Sequence, residues 1–303
     1  MAEKVYDVII VGAGIAGMTA AIYARRANKS TLVLESKTYG GQIINTFNIA
    51  NWPGEPGISG VDLSQNIYKQ VEDLGAEVEF SEVITVKDNG ETKEIETDDG
   101  MYVGRSLIIA VGSVDREMGV PREQEMTGRG VSYCATCDGA FYKDKDVVIV
   151  GGGNTAFYDA LYLADVAKKV YLVHRRDSFR ADAALVEKVR AKKNVEFVLE
   201  VRPVEILGEK KVEGLVVEKK DGKKQNLVVD GVFVAVGRVP ATKIFSDLID
   251  LDNKGYVVAG EDCRTSCAGV FVAGDCRTKD VRQLVTAASD GAIAANEAVR
   301  YLG

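Results

Sequence analysis

One strand–glycine–helix pattern occurs twice in the sequence and constrains its fold more than any other feature. Asp7 to Gly17 reads DVIIVGAGIAG, and 139 residues later Asp146 to Ala156 reads DVVIVGGGNTA. In each copy an apolar strand runs into a glycine-rich turn and then a helix, the context that a dinucleotide-binding unit requires. Leu107 to Gly112 likewise resembles Val232 to Gly237. The chain therefore predicts two dinucleotide-binding units built to one plan.

The glycines of the first unit have separate physical tasks. Gly12 permits the tight turn, Gly14 lets the backbone approach a pyrophosphate, and Gly17 lets the helix pack close to the strand. Free N–H groups at the helix N-terminus then favour an anion. The next strand, Thr31 to Leu34, ends at Glu35, whose carboxylate can accept from ribose hydroxyls. A glycine turn that binds nothing is the alternative.

The second unit differs from the first at the position that contacts the ribose. Where the first has Glu35, the second has His174-Arg175-Arg176, with Arg180 close behind. A carboxylate repels a 2′-phosphate, whereas arginines bind it with planar bidentate donors. We therefore expect the second unit to prefer NADP(H) to NAD(H). A solvated basic turn is the alternative, because two lysines lie just upstream.

A pair of cysteines lies between the two fingerprints, in the stretch Cys134-Ala135-Thr136-Cys137-Asp138. Two cysteines at this spacing can close and reopen a small disulfide ring, as thiol–disulfide exchange requires. Asp138 adds a carboxyl that can move a proton if it is partly buried. Half of a zinc site and an inert buried pair are the alternatives. Zinc usually takes four Cys or His ligands and His174 is the only histidine, so we predict no metal site.

The order of the motifs predicts how the 303 residues divide. A last apolar strand, Gly269 to Ala273, ends in Gly274-Asp275, where Asp275 suits either a second contact to the first dinucleotide or a helix cap. We expect this segment to pack with the N-terminal unit. The predicted fold is α/β, with two Rossmann-like dinucleotide-binding domains. Residues 1–113 and 243–303 form the first, and residues 114–242, which carry the cysteine pair, form a second domain inserted into it.

Local patterns predict several further elements. Residues 39–60 are rich in Gly, Pro and Asn and predict an ordered loop. Residues 18–27, 64–74 and 287–302 predict helices, the second of them capped by Gly75. Asp98-Asp99-Gly100 predicts a hairpin turn.

Composition narrows the classes of function. The formal net charge is −7, which argues against nucleic acid as the main partner, since a phosphate binder needs a basic surface. We expect no signal peptide and no membrane span, and hence a cytoplasmic location. Five cysteines in a chain of this length are not a disulfide scaffold. In a reducing compartment, a pair at this spacing is more often catalytic than structural.

Taken in order, the motifs are similar to those of one family. GAGIAG, Glu35 with GGQ at 40–42, NWPG at 51–54, CATCD, GGGNTA, HRRDSFR and GVFVAGD followed by Arg282-Gln283 resemble the low-molecular-weight thioredoxin reductases of bacteria and archaea. The resemblance covers nearly the whole chain. It implies FAD in the first unit, NADPH in the inserted unit, a homodimer, and thioredoxin or a thioredoxin-like protein as substrate. The implied enzyme is an NADPH-dependent thioredoxin-disulfide reductase, with no nucleic-acid or membrane partner.

The fingerprints and the resemblance together give candidate site residues. The resemblance implies that Cys137 lies against the flavin, Cys134 exchanges with thioredoxin, and Asp138 handles the proton. The residues expected at FAD are Gly12, Gly14, Ala16, Gly17, Glu35, Ser36, Gly40, Gly41, Gln42, Asn51, Ala110, Gly112, Gly274, Asp275, Arg282 and Gln283. The residues expected at NADPH are Gly151, Gly153, Asn154, Thr155, His174, Arg175, Arg176, Arg180 and Gly237.

The implied mechanism is a relay. NADPH gives a hydride to FAD, reduced FAD passes two electrons to the Cys134–Cys137 disulfide, and the Cys134 thiolate attacks thioredoxin before Cys137 resolves the mixed disulfide. The cysteines belong to the nicotinamide domain and the flavin to the other domain. We therefore expect a rotation between the domains, with hinges near Gly112-Ser113 and Pro240-Ala241.

Several alternatives stay open. A related flavoprotein disulfide reductase could serve another thioredoxin-like partner or be fed by ferredoxin, and a redox-sensing module could use the disulfide without turnover. A flavoprotein that reduces a one-electron carrier would have no use for the cysteine pair. Cys263, Cys267 and Cys276 are expected to be buried small hydrophobes. A secondary redox pair of Cys263 and Cys267 is the alternative.

Overall fold

The computed structural model describes residues 4–46, 49 and 51–303. It forms two compact units: a discontinuous unit, from the described residues up to Val114 together with Val239–Gly303, and an inserted unit, Asp115–Arg238. The inserted unit ends earlier than the expected residue 242. The reason is that Ala241 donates its N–H to the Gly112 carbonyl (3.4 Å) and Thr242 its hydroxyl to the Gly255 carbonyl, and all four residues belong to the discontinuous unit.

The strand–helix–strand order that the repeat predicted occurs in both units, at residues 5–35 and 146–174. The discontinuous unit begins with β1 (Val5–Val11), α1 (Ile15–Arg26), β2 (Thr31–Glu35), α2 (Gly60–Asp73), β3 (Glu77–Phe80), β4 (Val83–Asp88), β5 (Lys93–Thr97), β6 (Met101–Ile109) and β7 (Ser113–Asp115). The inserted unit continues with β8 (Val131–Ser132), α3 (Ala135–Asp138), β9 (Asp146–Gly151), α4 (Asn154–Val166), β10 (Lys169–His174), α5 (Ala183–Arg190), β11 (Val195–Leu199), β12 (Val201–Leu207), β13 (Gly214–Lys219), β14 (Lys224–Val228) and β15 (Gly231–Ala235). The chain closes with β16 (Arg238–Pro240), β17 (Val270–Val272) and α6 (Leu284–Leu302), and short 3₁₀ helices lie at Gly41–Asn45, Gly139–Tyr142 and Lys243–Phe245.

A twisted sheet forms the centre of the discontinuous unit, with strand order β3-β2-β1-β6-β5-β4 and β17 paired to β6. β1 runs parallel to both neighbours, so that Val11 lies beside Leu34 and Ile109. These strands are buried on both faces, which is why their sequences are continuous apolar runs. α1 packs against α6 at Gly291, where a Cβ would lie 2.2 Å from the Ala16 carbonyl oxygen.

The inserted unit repeats the same plan on a smaller scale. Its sheet has the order β11-β10-β9-β15-β8, and its strands pair in parallel. A separate antiparallel sheet, β12-β13-β14, completes the unit. The expected α/β architecture with two Rossmann-like sheets is confirmed.

The two chain crossings between the units are short and run side by side. β7 and β16, which contain the crossings, pair as a two-stranded sheet. A glycine with positive φ lies just before each crossing strand, Gly112 at 65° and Gly237 at 126°. Such positions favour glycine because a side chain would strain the left-handed backbone.

Several element boundaries differ from the sequence-based expectation. α2 begins at Gly60, because the Ser59 hydroxyl caps the helix by accepting the Asp62 N–H. α6 begins at Leu284 with Gln283 as its N-cap, so the alternative of Asp275 as a helix cap is wrong. Phe47, Asn48 and Ala50 of the expected loop lie outside the described residues, as do Met1, Ala2 and Glu3. No helix in the described part of the chain is long and apolar enough to cross a membrane.

Candidate active site

A disulfide joins Cys134 and Cys137 in the inserted unit, with 5.3 Å between their Cα atoms. The Cys134 carbonyl accepts the N–H groups of Cys137 (3.3 Å) and Asp138 (3.1 Å), so the ring is closed by a single helical turn. Both cysteines are half-buried. A bridged pair that solvent can reach is suited to thiol–disulfide exchange. Among the described residues, no three His, Cys, Asp or Glu side chains are grouped so that they could hold a metal ion.

Asp138 follows Cys137 directly, and Ser132 on β8 holds its side chain. The Ser132 hydroxyl donates to Asp138 Oδ2 at 2.6 Å and accepts the Cys134 N–H at 3.1 Å. Burial raises the pKa of Asp138, and the hydrogen bond from Ser132 offsets this rise only in part. Burial and the nearby charge of Asp138 raise the pKa of Tyr142 to about 12. A carboxyl with a raised pKa is suited to exchanging a proton closer to neutral pH.

The other three cysteines are free. Cys263 and Cys276 are buried, and burial raises the pKa of each thiol to about 12, so both act as small hydrophobes. The expectation of burial is wrong for Cys267, which is half-buried and donates its thiol to the Asp88 carboxylate at 3.4 Å. No disulfide joins Cys263 to Cys267.

The first glycine fingerprint forms a tight turn after β1. Gly12 has φ +108°, and a Cβ there would lie 2.5 Å from the Ala110 carbonyl oxygen. A Cβ on Gly17 would lie 1.8 Å from the Gly12 carbonyl oxygen, so the close approach of α1 requires glycine. Gly14 is the N-cap of α1 without a capping side chain, and open space lies around the position of its Cβ. An uncapped helix N-terminus beside open space fits a pyrophosphate.

Glu35 and the Gly40 loop lie against this turn. The Glu35 carboxylate accepts the N–H groups of Ala13 (2.8 Å) and Lys37 (3.0 Å). Gly40 donates its N–H to the Ala13 carbonyl at 2.8 Å. Ser36 is exposed next to Glu35. Two elements that are distant in sequence therefore meet the glycine turn at the edge of the sheet, where a dinucleotide binds in this architecture.

Three further candidate residues make side-chain hydrogen bonds in the discontinuous unit. The Gln42 amide donates to the Ser113 carbonyl at 3.1 Å, and the Asn51 amide donates to the Gln283 side-chain oxygen at 3.0 Å. The Ser113 hydroxyl is buried and has no hydrogen-bond partner among the described residues. A buried polar atom of this kind fits the polar edge of a bound cofactor.

The Gly274-Asp275 turn follows β17, and hydrogen bonds hold each of its two residues. Gly274 has φ +82° and donates its N–H to Asp290 Oδ2 at 3.0 Å. Arg282 donates to the Asp275 carbonyl at 3.4 Å and lies over the Tyr256 ring, 4.4 Å from its centroid. The turn is therefore set by α6 and by the segment that leads into it.

Asp290 is the centre of a buried charge cluster. Its carboxylate accepts two hydrogen bonds from Arg277, both 2.9 Å, and one from Lys279 at 2.8 Å. The side chains of Arg277, Lys279 and Asp290 are 2%, 6% and 4% exposed. Burial opposes the ionisation of Asp290, but the hydrogen bonds from Arg277 and Lys279 outweigh it and lower its pKa.

The second fingerprint forms the corresponding turn of the inserted unit. A Cβ on Gly152 would lie 2.2 Å from the His174 ring, so the imidazole packs directly on the turn. Gly153 is the N-cap of α4 without a capping side chain, and open space surrounds its Cβ position. The Asn154 side chain donates to Asp182 Oδ2 (3.0 Å) and accepts the Asp182 N–H (2.8 Å), which fixes the start of α4. This turn also fits a pyrophosphate.

The three arginines surround the end of β10. Arg175, Arg176 and Arg180 are exposed, and Arg180 donates its backbone N–H to the Gly152 carbonyl at 2.8 Å. Burial and the charges of these arginines lower the pKa of His174. Positive charge is therefore concentrated beside the second glycine turn.

The candidate residues separate cleanly between the two units. Every residue expected at FAD lies in the discontinuous unit, and every residue expected at NADPH lies in the inserted unit with the cysteine pair. The sequence interpretation missed Ser132, Asp182 and Asp290. Asp290 could have been found from the sequence, because it is a carboxylate within a stretch of small residues in the predicted last helix. Ser132 and Asp182 had none, because their partners are defined only by the folded chain.

Comparisons with known proteins agree with this geometry. The family model described as pyridine nucleotide-disulphide oxidoreductase matches residues 6–292. The thioredoxin reductases of Listeria monocytogenes and Bacillus subtilis are 44% and 42% identical over 302 residues, which is 99% of this chain and 95% and 96% of theirs. The crystal structure of thioredoxin reductase from Streptococcus pyogenes matches with a TM-score of 0.93 at 42% identity, covering 98% of each chain. The chain therefore belongs to the pyridine nucleotide-disulphide oxidoreductase family, among its low-molecular-weight thioredoxin reductases.

Proposed function

We propose that this chain is an NADPH-dependent thioredoxin-disulfide reductase that binds FAD. Membership of the family implies an oxidoreductase that acts on disulfides with a flavin and a pyridine nucleotide. One observation carries the finer proposal. The Cys134–Cys137 disulfide is half-buried beside the Asp138 carboxyl, in the same unit as the exposed arginines that follow β10.

The choice of cofactors rests on the two turns. The uncapped start of α1, with Glu35 beside it, suits the pyrophosphate and a ribose of FAD. The uncapped start of α4, with Arg175 and Arg176 beside it, suits the pyrophosphate and the 2′-phosphate of NADPH. When bound, the flavin supplies the chemistry that turns a hydride from the nicotinamide into an electron pair for the disulfide.

The cysteines then carry the exchange with the protein substrate. Two electrons break the bond between Cys134 and Cys137, and one of the two sulfur anions takes a proton from Asp138. We assign the attacking thiolate to Cys134, which forms a mixed disulfide with thioredoxin and expels one thioredoxin sulfur. Cys137 attacks Cys134, restores the internal disulfide and releases reduced thioredoxin. The family resemblance supports this division of roles.

A movement between the units is part of the proposal. The disulfide belongs to the inserted unit, whereas the candidate flavin residues belong to the discontinuous unit. The disulfide needs electrons from the flavin and then access to a protein substrate, so one fixed arrangement cannot serve both steps. We place the hinges near Gly112-Ser113 and Pro240-Ala241. By the same resemblance we propose a homodimer in the cytoplasm.

An anaerobic experiment tests the proposed function. The protein with FAD bound is reduced with NADPH, and a thioredoxin is then added while the flavin absorbance is followed. The proposal predicts that NADPH bleaches the flavin, that oxidised thioredoxin restores its colour, and that thioredoxin thiols appear in step with NADPH consumed. A flavin that NADPH reduces but no thioredoxin reoxidises contradicts the assigned substrate. A flavin that reduced ferredoxin bleaches and NADPH does not would favour the ferredoxin-fed alternative.

A further inference from the structure

The serine that precedes the cysteine pair has a position that its sequence context did not reveal. Ser132 ends β8, which pairs with β15, and its side chain is 4% exposed. Its hydroxyl lies 2.6 Å from Asp138 Oδ2, 3.1 Å from the Cys134 nitrogen and 3.3 Å from the Cys134 carbonyl oxygen. One buried hydroxyl therefore contacts both the candidate acid and the backbone of the first redox cysteine.

The Ser132 hydroxyl cannot donate to Asp138 and to the Cys134 carbonyl at the same time. A serine hydroxyl has one proton to donate and two lone pairs to accept with. When Asp138 is ionised, the short contact to Oδ2 takes the proton, and a lone pair accepts the Cys134 N–H. When Asp138 is protonated, its own O–H can donate to Ser132, and the serine proton can turn to the Cys134 carbonyl. In both states the half-buried carboxyl keeps a partner, so neither state carries the cost of an orphaned polar group.

We propose that Ser132 is a positioning residue of the redox centre, which holds the Asp138 carboxyl at the Cys134–Cys137 turn in both of its protonation states. This inference rests on the proposed function, in which Asp138 moves a proton. Reduction of the disulfide by the electron pair from NADPH gives one thiol and one thiolate, and the proton of the thiol comes from Asp138. When the pair closes again on the substrate, the thiol proton returns to Asp138. The two thioredoxin sulfurs then take the one proton that the hydride brought with its electron pair and one proton from solvent.

The surroundings of Asp138 leave Ser132 as its main polar contact. On the 3₁₀ turn after α3, the phenol of Tyr142 interacts electrostatically with Asp138, and Asp230 acts on the same phenol. From α4, Tyr162 and Leu163 pack at Gly139 and bring no charge. In the described part of the chain no cation forms an ion pair with Asp138. Burial therefore opposes the ionised form, and the Ser132 hydroxyl supports it.

Removing the hydroxyl should raise the pKa of Asp138. Ser132→Ala loses the hydrogen bond to Asp138 in both protonation states, but the bond to the charged form is about twice as strong as the bond to the neutral form. The ionised form therefore loses more, and the pKa should rise by about 1 unit, which is a roughly 10-fold change in the ionisation constant. Ser132→Thr keeps the hydroxyl and should stay close to the parent value. Tyr133→Phe is the matched control, because it removes a neighbouring hydrogen bond, 2.9 Å long, that goes to Glu123 and not to Asp138.

The direct measurement is the titration of Asp138 in the oxidised holoprotein, by NMR of protein labelled with ¹³C at the aspartate side-chain carboxyl. Asp138→Asn assigns the signal. The titration needs neither NADPH nor thioredoxin, so it stands apart from the proposed function. A second readout is the rate of thioredoxin reduction as a function of pH. The part of this profile that depends on Asp138 is the part that disappears in Asp138→Asn. In Ser132→Ala this part should move to higher pH by as much as the Asp138 pKa rises in the NMR titration.

A matching rise in both readouts, absent in Ser132→Thr and Tyr133→Phe, supports the proposal. An Asp138 pKa that is unchanged in Ser132→Ala overturns it, and so does a raised pKa with an unmoved pH profile. If Ser132→Ala does not fold, Ser132→Gly removes the same hydroxyl and must show the same rise. An unmodified protein that reduces no thioredoxin at any pH contradicts the proposed function, whereas the titration still decides whether Ser132 governs Asp138.

Discussion

Replacing Asp290 with asparagine keeps the size of the side chain and removes its charge. Arg277 and Lys279, 2% and 6% exposed, would then be buried cations without their shared carboxylate. Breaking a buried ion pair by removing one partner costs about 3–5 kcal/mol, because the remaining charge has lost both water and its partner. We expect the free energy of unfolding to fall by an amount in this range. We also expect weaker FAD binding, because Asp290 accepts the N–H of Gly274, one of the residues expected at FAD.

Urea unfolding followed by the fluorescence of Trp52 measures this loss. Trp52 is the only tryptophan and packs against the core of the discontinuous unit, the unit that contains Asp290. Glu261→Gln is the control, since Glu261 lies 3.5 Å from Arg277 but is 91% exposed. Because the Glu261 carboxylate stays in water and lies at a long distance, this contact contributes little to stability, so the control should unfold at nearly the parent midpoint.

The parent protein and Asp290→Asn should differ in their free energy of unfolding by an amount that depends on pH. This dependence follows from the pKa of Asp290, which is lowered in the folded protein. The stabilisation is fully present above the unfolded value of about 4 and is lost as the pH falls through the lower folded value. The gap between the parent and Asp290→Asn should therefore close only in acid. A loss below about 1 kcal/mol at neutral pH, or an equal loss in Glu261→Gln, would refute this account of the cluster.

Two further predictions concern the inserted unit. Arg175→Ala with Arg176→Ala should lower kcat/KM for NADPH by about 10²-fold and leave NADH little changed, since each exposed phosphate contact is taken at about 1.5 kcal/mol. Lys168→Ala is the matched control, and equal use of NADPH and NADH by the parent protein would contradict the assignment. Cys134→Ser and Cys137→Ser should both lose thioredoxin turnover while NADPH still reduces the flavin. Only Cys137→Ser should trap thioredoxin as a mixed disulfide, which a non-reducing gel detects. Full turnover by Cys134→Ser would exclude Cys134 as the attacking thiol.

The sequence predicts best those parts of the fold that local residues dictate. The strand before Gly12 and the helix after Gly14 follow from a short pattern, because apolar runs and glycine turns act within a few residues. The repeat then predicts the second Rossmann-like sheet, and Gly75, at φ +77°, ends α2 as expected.

The contacts that the sequence does not predict are those between distant segments. Asn51 meets Gln283 only after the two ends of the discontinuous unit have folded together. Gly274 meets Asp290 only after α6 has packed back on the turn that follows β17. Burial is equally a property of the whole unit, which is why Cys267 differs from Cys263 and Cys276. Nothing in the spacing of Ser132 indicates that its hydroxyl reaches Asp138, since the intervening residues must first form a turn.

Thiol counting tests the central claim most directly. The oxidised protein has three free cysteines, Cys263, Cys267 and Cys276, among five. We predict that anaerobic NADPH raises the thiol count of the denatured FAD-loaded protein from three to five, with the new thiols at Cys134 and Cys137. Thioredoxin should then return the count to three. A count that stays at three after NADPH has bleached the flavin would contradict the claim that this disulfide carries electrons from NADPH to the substrate.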